Sequence, residues 1–498
     1  MHNGARLFVV DPRRTSSAQW ADVWLGLDVG ADISLANAMA CEIIVAGLAH
    51  RQFIDNATSG FDAYRECVEK YTLERGERES GVPAEVIRQT ALAYAKAEHA
   101  EICWTLGITE HHNAVDNVVA LINLALLTGH VGRYGSGVNP LRGQNNVQGG
   151  GDMGAIPDRL PGFQHVENDE LRAKYERAWG VKIPPKRGRH LSAMFEAMQH
   201  GEMTFAYVLG ENPADSEADR HHARHLLGGL EFMVVQDLFY TKTAELADVI
   251  LPGSAGWCES EGTVTNSERR VQRVRRAVPP PPGARDDIEI VFEIARRMGH
   301  KWGQPDSECI WDEVRRLSPM HAGMSYRRLE ELGGIQWPCY DESHPGELFL
   351  HSRLWQTPVV GPRAPFHVVE FEPPVDQLSE EFPIRLTTGR RLDSYNTGVQ
   401  TADYGSPLRR REAIDLSPED GARYHVSEGE NVRVSSRRGS VLAPVRFDSA
   451  LRPGLAFLSV HFHDQVATND LTIEAVDPKS GTSEFKATAI RIEKTQEN

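Results

Sequence analysis

A surplus of positive charge is what this sequence most clearly lacks. Its 54 lysines and arginines are outnumbered by 70 aspartates and glutamates, for a formal net charge of −16. A chain of that balance is not built as a whole to hold nucleic acid or an anionic membrane surface. Long apolar runs are missing too, so no segment reads as a transmembrane span. The opening MHNGARLFVVDPRRT has neither the charged start, the apolar middle nor the small-residue cleavage site of a signal peptide. Cysteine is sparse and scattered: Cys41, Cys67, Cys103, Cys258, Cys309 and Cys339 include no C-x-x-C pair. That pattern suggests neither a disulfide framework nor a cysteine-ligated metal site, and it fits a reduced, cytoplasmic setting.

What is present is ordinary globular material, 40% hydrophobic and 25% charged. At 498 residues, and with roughly 150 residues per domain, about three domains are expected. The first half alternates short apolar runs with amphipathic stretches. LFVV (Leu7 to Val10) ends in the turn signal DPRR, SSAQWAD follows, then VWLGL, then the helical pattern ISLANAMACEIIVAGLAH after Asp32. Helices are predicted over 82–98, with Pro83 suited to the first turn, and over 116–129, and a strand over 101–107. Further strands are predicted at TFAYVLG and EFMVVQDLF, closed by a helix at DDIEIVFEIARRMGH. This is a doubly wound α/β rhythm. Residues 301–380 read as an irregular connection rich in Pro, Trp and charge. After Phe382, FPIRLTTGR, NVRVSSRRGS, VLAPVRFDS and GLAFLSVHF are short β-like runs separated by turn signals, the pattern of a small barrel. The expected domains are 1–143 (α/β), 144–300 (α/β), 301–380 (connection) and 381–498 (barrel).

Several α/β strands end in polar turns: VVDPRR, LGITEHH, VLGENPADSE and VVQDLF. Ligands of open parallel sheets sit at such carboxyl ends, where backbone N–H groups can receive phosphates. A carboxylate there, such as Asp11, Asp32 or Asp237, could accept from the N1–H and amino group of a guanine. Aspartate after a strand is first of all a turn former, but four such ends in one chain favour a nucleotide-like ligand. The stretch NPLRGQNNVQGGGDMG (Asn139 to Gly154) is more informative. Its five glycines would let backbone approach a ligand. Arg142 offers a forked, permanently charged donor suited to carboxylate or phosphate. Gln144, Asn145, Asn146 and Gln148 donate and accept without adding charge. A solvated Gly/Asn loop is the plain alternative. SERRVQRVRR is the one dense basic run and reads as a solvated helix face. HFHD and the His111–His112 pair lack a third ligand, so no metal residue is assigned.

LRGQNNVQGGGDMGAIPDRLPGFQ, VLGENPADSEAD, ADVILPGSAGWCESEGTVTNSERRVQ, TTGRRLDSYNTGVQT and NDLTIEAVDPKSGTSEFKATAIRIE together resemble the catalytic (alpha) subunit of molybdenum- or tungsten-dependent formate dehydrogenases. These belong to the bis-molybdopterin guanine dinucleotide oxidoreductases. The resemblance runs from the first strand nearly to the last residue. It implies Rossmann-like domains, the first of them truncated, and a six-stranded β-barrel that caps the cofactor. It implies that Arg142 orients formate, with Gln144 lining the same pocket. Cofactor contacts carried over from the family are Val10, Asp11, Pro12, Arg13, Gly30, Asp32, Leu106, Glu110, Asn212, Gln236, Asp237 and Asp287. The barrel adds Thr388, Gly389, Arg390, Ser394, Asn396, Thr397, His461, Asn469 and Lys486.

The family's amino-terminal portion, with four cysteines for a [4Fe–4S] cluster and a cysteine or selenocysteine on the metal, has no counterpart here. The resemblance therefore implies a carboxy-terminal part of such a subunit, expected to be inactive when isolated. Its implied partners are the missing amino-terminal part and electron-transfer subunits carrying iron–sulfur or flavin groups, with NAD as one candidate acceptor. Nitrate or sulfur-compound reduction on the same scaffold, and a non-catalytic split-subunit fragment, stay open as alternatives.

Overall fold

The computed structural model describes residues 4–391, 394, 396–398 and 411–495. They form two compact units. One comprises Met1–Val138, Pro213–Arg224 and His351–Asn498; the other comprises Asn139–Asn212 and His225–Leu350.

The first unit opens with parallel strands Phe8–Val10 and Val23–Leu25. Its α-helical body is centred on Asp32–Val45, whose small residues Ala36, Ala38 and Ala40 are buried. Helix Leu73–Ser80 packs so closely on it that a Cβ on Gly76 would lie 2.6 Å from Ala38 Cβ. Helices Ala84–Lys96 and Ala114–Thr128 complete the packing. The second of these ends at Gly129, whose φ of +69° and contact with Trp355 leave no room for a side chain. Leu25, Ile33, Ile43, Tyr64, Leu127 and Phe366 share one core.

The expected barrel is present and closed, with six strands. Ile384–Gly389 runs parallel to Leu455–Ser459 and antiparallel to Thr488–Lys494. Ile414–Leu416 lies between Leu455–Ser459 and Ser440–Phe447. Asn431–Ser435 closes the ring against Ser440–Phe447 and Thr488–Lys494. Alternate residues turn inward, so Ile384, Leu386, Val432, Val434, Leu458 and Ile490 fill the interior.

In the second unit Phe205–Leu209, Phe232–Asp237 and Val249–Pro252 form a parallel sheet with Phe232–Asp237 central. Two expectations change here. The basic run is not helical: Arg270–Val274 is a strand, paired antiparallel with Gly262–Thr265. Val271 is fully buried among Trp311, Met324, Leu329 and Ile335, while Arg270 and Gln272 stay half-buried. An alternation of that kind has the period of a strand. Nor is 301–380 simply irregular. Ser307–Leu317 and Tyr326–Glu331 are helices on that same core, and the chain from His351 onward belongs to the other unit. High charge masked the apolar stripe that buries Trp311.

Candidate functional site

Arg142 stands just past strand Gly137–Pro140, in the second unit. Its backbone N–H donates to Ser267 Oγ at 2.9 Å, so the SERR segment anchors the loop. Its Nη2 donates to Gln148 Oε1 at 3.2 Å. The loop then tightens: Asn146, in the left-handed region at φ 63°, leads into a helical turn, Val147–Asp152. Asn146 Oδ1 accepts from Thr265 N at 2.9 Å, which ties the turn to the hairpin. Gly149 is required there, since a Cβ would overlap Asn146 Oδ1. The glycine-rich stretch is thus a pinned turn and not a slack loop. Gln144 is half-buried and Arg142 exposed.

Below Arg142 lies a group that sequence reasoning did not single out. Asp152, 1% exposed, accepts from Gln148 Nε2 at 2.9 Å and from Trp337 Nε1 at 2.8 Å. Burial pushes its carboxyl up to about 6, against the hydrogen bonds from Gln148 and Trp337 and the charges of Arg142 and Arg269. The i, i+4 spacing of Gln148 and Asp152 was the available signal, but it means something only once the turn is known to be helical.

At the carboxyl end of the same unit's parallel sheet, Gln236 is buried. Its Nε2 donates to Asp287 Oδ1 at 2.6 Å and its Oε1 accepts from Tyr207 OH. Asp237 Oδ1 accepts from Leu238 N at 2.6 Å and Phe239 N at 3.3 Å. Burial raises the carboxyl pKa of Asp237, Asp287 and Glu211. A set of half-desolvated carboxylates with a primary amide suits a ligand that brings N–H donors. Asn212 is engaged within the protein, where its Oδ1 accepts from Thr243 N at 3.2 Å and Thr243 Oγ1 at 2.9 Å.

The first unit carries its own polar set. Asp11 ends the first strand and accepts from Arg13 N at 2.8 Å. Arg13 stacks 3.9 Å above the Phe457 ring of the barrel. Exposed Val10 and half-buried Pro12 flank them. Gly30, at φ +84°, would set a Cβ 2.8 Å from Pro374 Cγ, and Asp32 opens the central helix. Burial raises the pKa of both Asp11 and Asp32, against Arg13 and Lys486 at the first and His111 at the second. Leu106 starts a single helical turn that ends at Glu110, and Glu110 Oε2 meets Lys486 Nζ at 2.7 Å. The Lys486 ammonium also donates to Thr388 O at 3.1 Å.

His461, wholly buried, accepts from Arg391 N through Nε2 at 2.8 Å and donates from Nδ1 to Asn396 O at 2.7 Å. Gly389, exposed Arg390 and half-buried Ser394 and Thr397 lie on the same segment. Leu392, Asp393, Tyr395, Val399, Gln400 and Thr401 of the motif fall outside the described residues. Asn469 is 2% exposed; its Nδ2 donates to Asp215 O at 3.2 Å and Ser216 O at 3.0 Å, but its Oδ1 has no partner among the described residues. Among the described residues neither ring nitrogen of buried His463 has a partner, and burial pushes its pKa down to about 4.

One buried pair here was likewise missed. His111 lies against Glu484, whose carboxylate also receives His112 N at 3.1 Å. A lone His-His dipeptide gives no hint of a partner so far along the chain.

Comparison with known proteins gives concordant results. Residues 1–297 match the family described as molybdopterin oxidoreductase, and residues 384–489 the molydopterin dinucleotide binding domain. The chain is 42% identical over 499 residues to the F420-dependent formate dehydrogenase 2 subunit alpha of Methanococcus maripaludis, covering 99% of this chain and 72% of that protein. It is 38% identical over 497 residues to formate dehydrogenase H of Escherichia coli, covering 99% and 69%. Among solved structures, acetylene hydratase from Pelobacter acetylenicus aligns with a TM-score of 0.72 at 21% identity, covering 99% of this chain and 74% of that one. That likeness bears on the fold alone.

Proposed function

The chain belongs to the molybdopterin oxidoreductase family, and from that premise we propose that it carries the formate site of a formate dehydrogenase catalytic subunit. The reaction is oxidation of formate to carbon dioxide, with release of a proton and two electrons. The single observation that carries this reading is Arg142, a guanidinium on a pinned turn with one neutral partner and four N–H donors left uncommitted among the described residues. Such a fork matches a carboxylate bidentately. Its contribution is to hold the carboxylate in one pose as much as to bind it. Gln144, two residues on, would face the same substrate. The formate dehydrogenase relatives add support.

The residues fit a molybdopterin guanine dinucleotide. A buried amide oxygen with no partner among the described residues, Asn469 Oδ1, is open to a donor from a ligand. Carboxylates that accept backbone or amide N–H groups among the described residues would suit guanine N–H donors: Asp237 and Asp287 in one unit, Asp11 and Asp32 in the other. Arg13 would supply positive charge for a phosphate, and Lys486, paired with Glu110, a further N–H donor. When bound, the group supplies the two-electron acceptor, through molybdenum or tungsten. Partner subunits would then take the electrons onward.

The test uses the assembled holoenzyme in dye-linked assays with formate and with nitrate. Formate turnover is expected, and Arg142→Ala is expected to lose most of it while keeping its metal. Near-normal turnover by that variant would overturn the role.

A further inference from the structure

The partner of the Arg142 guanidinium is an amide oxygen, and the direction of that amide is forced. An ionised carboxylate can only accept hydrogen bonds. Asp152 takes the Trp337 indole N–H on Oδ2 at 2.8 Å and a Gln148 N–H on Oδ1 at 2.9 Å. The Gln148 nitrogen is thereby committed downward, and only its oxygen is left for Arg142, at 3.2 Å. The base of this chain is fixed. The Asp152 backbone oxygen accepts from Gly162 N at 2.7 Å and Phe163 N at 3.2 Å. Arg269 stacks 5.2 Å from the Trp337 ring centroid and donates to the Trp337 carbonyl.

We propose that Gln148 and Asp152 are positioning residues of the substrate site, holding Arg142 in one orientation through a hydrogen-bond chain whose direction is set by the Asp152 charge. The inference rests on the formate reading, since it takes Arg142 as the receiver of the substrate carboxylate. A neutral glutamine is the suitable intermediary. A carboxylate in its place would occupy the guanidinium and compete with formate.

The chain reverses on protonation. Arg142 and Arg269 are the charged groups facing Asp152, beside the dipoles of Gln148 and Trp337. A proton on Oδ1 would donate toward Gln148, whose amide must then turn its oxygen to Asp152 and its N–H groups to Arg142. Donor would face donor, and Arg142 would be released. KM for formate is therefore expected to rise as pH falls through about 6, with kcat changing less.

The experiment compares holoenzymes by formate kinetics against pH. A second readout is phenylglyoxal labelling of Arg142 with and without formate, followed by peptide mass spectrometry. In Asp152→Asn, Trp337 claims the amide oxygen and the amide nitrogen turns to Gln148, so the chain is reversed at every pH. KM should rise about tenfold or more, the loss of one hydrogen bond to a charged group. The limb near pH 6 should vanish, and formate should no longer protect Arg142.

Gln148→Glu alone sets two carboxylates together and should also raise KM. In the double variant Q148E/D152N the two carboxylates no longer face each other, but the carboxylate introduced at position 148 still pairs with the guanidinium, so its KM should lie below that of Gln148→Glu and above the wild type's.

A wild-type KM that is flat between pH 5 and 7 would overturn the inference without any substitution. So would Asp152→Asn with wild-type KM and labelling, while leaving formate oxidation standing. A wild-type holoenzyme that does not turn over formate would overturn both readings.

Discussion

His111 Nδ1 lies 3.2 Å from Glu484 Oε2, joining two side chains 373 positions apart, both of them buried. Glu484 Oε1 meanwhile accepts from Lys486 N at 2.9 Å and Ala487 N at 3.0 Å. Burial disfavours both charges, yet each is outweighed: His111 is held above the usual imidazole range by Glu484, and Glu484 well below the usual carboxylate range by His111 and His112.

This pair predicts a pH window. The raised His111 contributes stability that is full below its unfolded pKa near 6.5 and lost as pH rises through its folded value. The lowered Glu484 contributes stability present above its unfolded pKa near 4.5 and lost as pH falls through its folded value. Glu484→Gln should lower stability by about 3 kcal/mol, as breaking a buried ion pair does. Its melting temperature should fall most between those two pKa values. An unchanged melting profile at pH 5.5 would refute the coupling.

Asn469→Ala removes both the donor that ties Asp215 O and Ser216 O and the oxygen that has no partner among the described residues. If that oxygen receives the cofactor, the purified variant should carry markedly less molybdopterin, assayed as its fluorescent oxidation product. Full occupancy would separate Asn469 from cofactor binding.

Gly149→Ala places a methyl on Asn146 Oδ1 and should free Thr265 N, which that oxygen now accepts from. A cost of about 1–3 kcal/mol is expected for one buried polar group left unsatisfied. Gly150→Ala, with nothing within 4 Å of its Cβ position, should not destabilise. Thermal unfolding of the two variants checks the contrast, and equal melting temperatures would contradict the packing argument.

Arg220 meets Asp470 through two bonds, Nε at 2.9 Å and Nη2 at 3.1 Å, both side chains being largely buried. Asp470→Asn leaves the mostly buried guanidinium with Asp215, 3.7 Å away, as its remaining counter-charge and should cost about 1.5–3 kcal/mol, the range for a hydrogen bond to a charged group. Denaturant midpoints would show it, and a change within error would place the pair among the ineffective ones.

The sequence by itself determined the local elements. Period-3.6 patterns located Asp32–Val45, Ala84–Lys96 and Ala114–Thr128, and alternating apolar runs located strands of the barrel. These are legible because adjacent residues decide them. It also brought forward Arg142, since a permanent charge in a glycine- and amide-rich stretch has few uses. What it misread was context. A basic run became a strand because Val271 had a core to enter, and a charged, Trp-rich stretch became helical because Trp311 did.

Only the tertiary structure decided which partner each polar group would meet. Gln148 and Asp152 acquire a direction from Trp337, 185 residues beyond Asp152, and His111 acquires its charge from Glu484. A buried polar side chain must find a partner wherever the fold places one. That choice depends on distance in space, which the order of residues along the chain does not express.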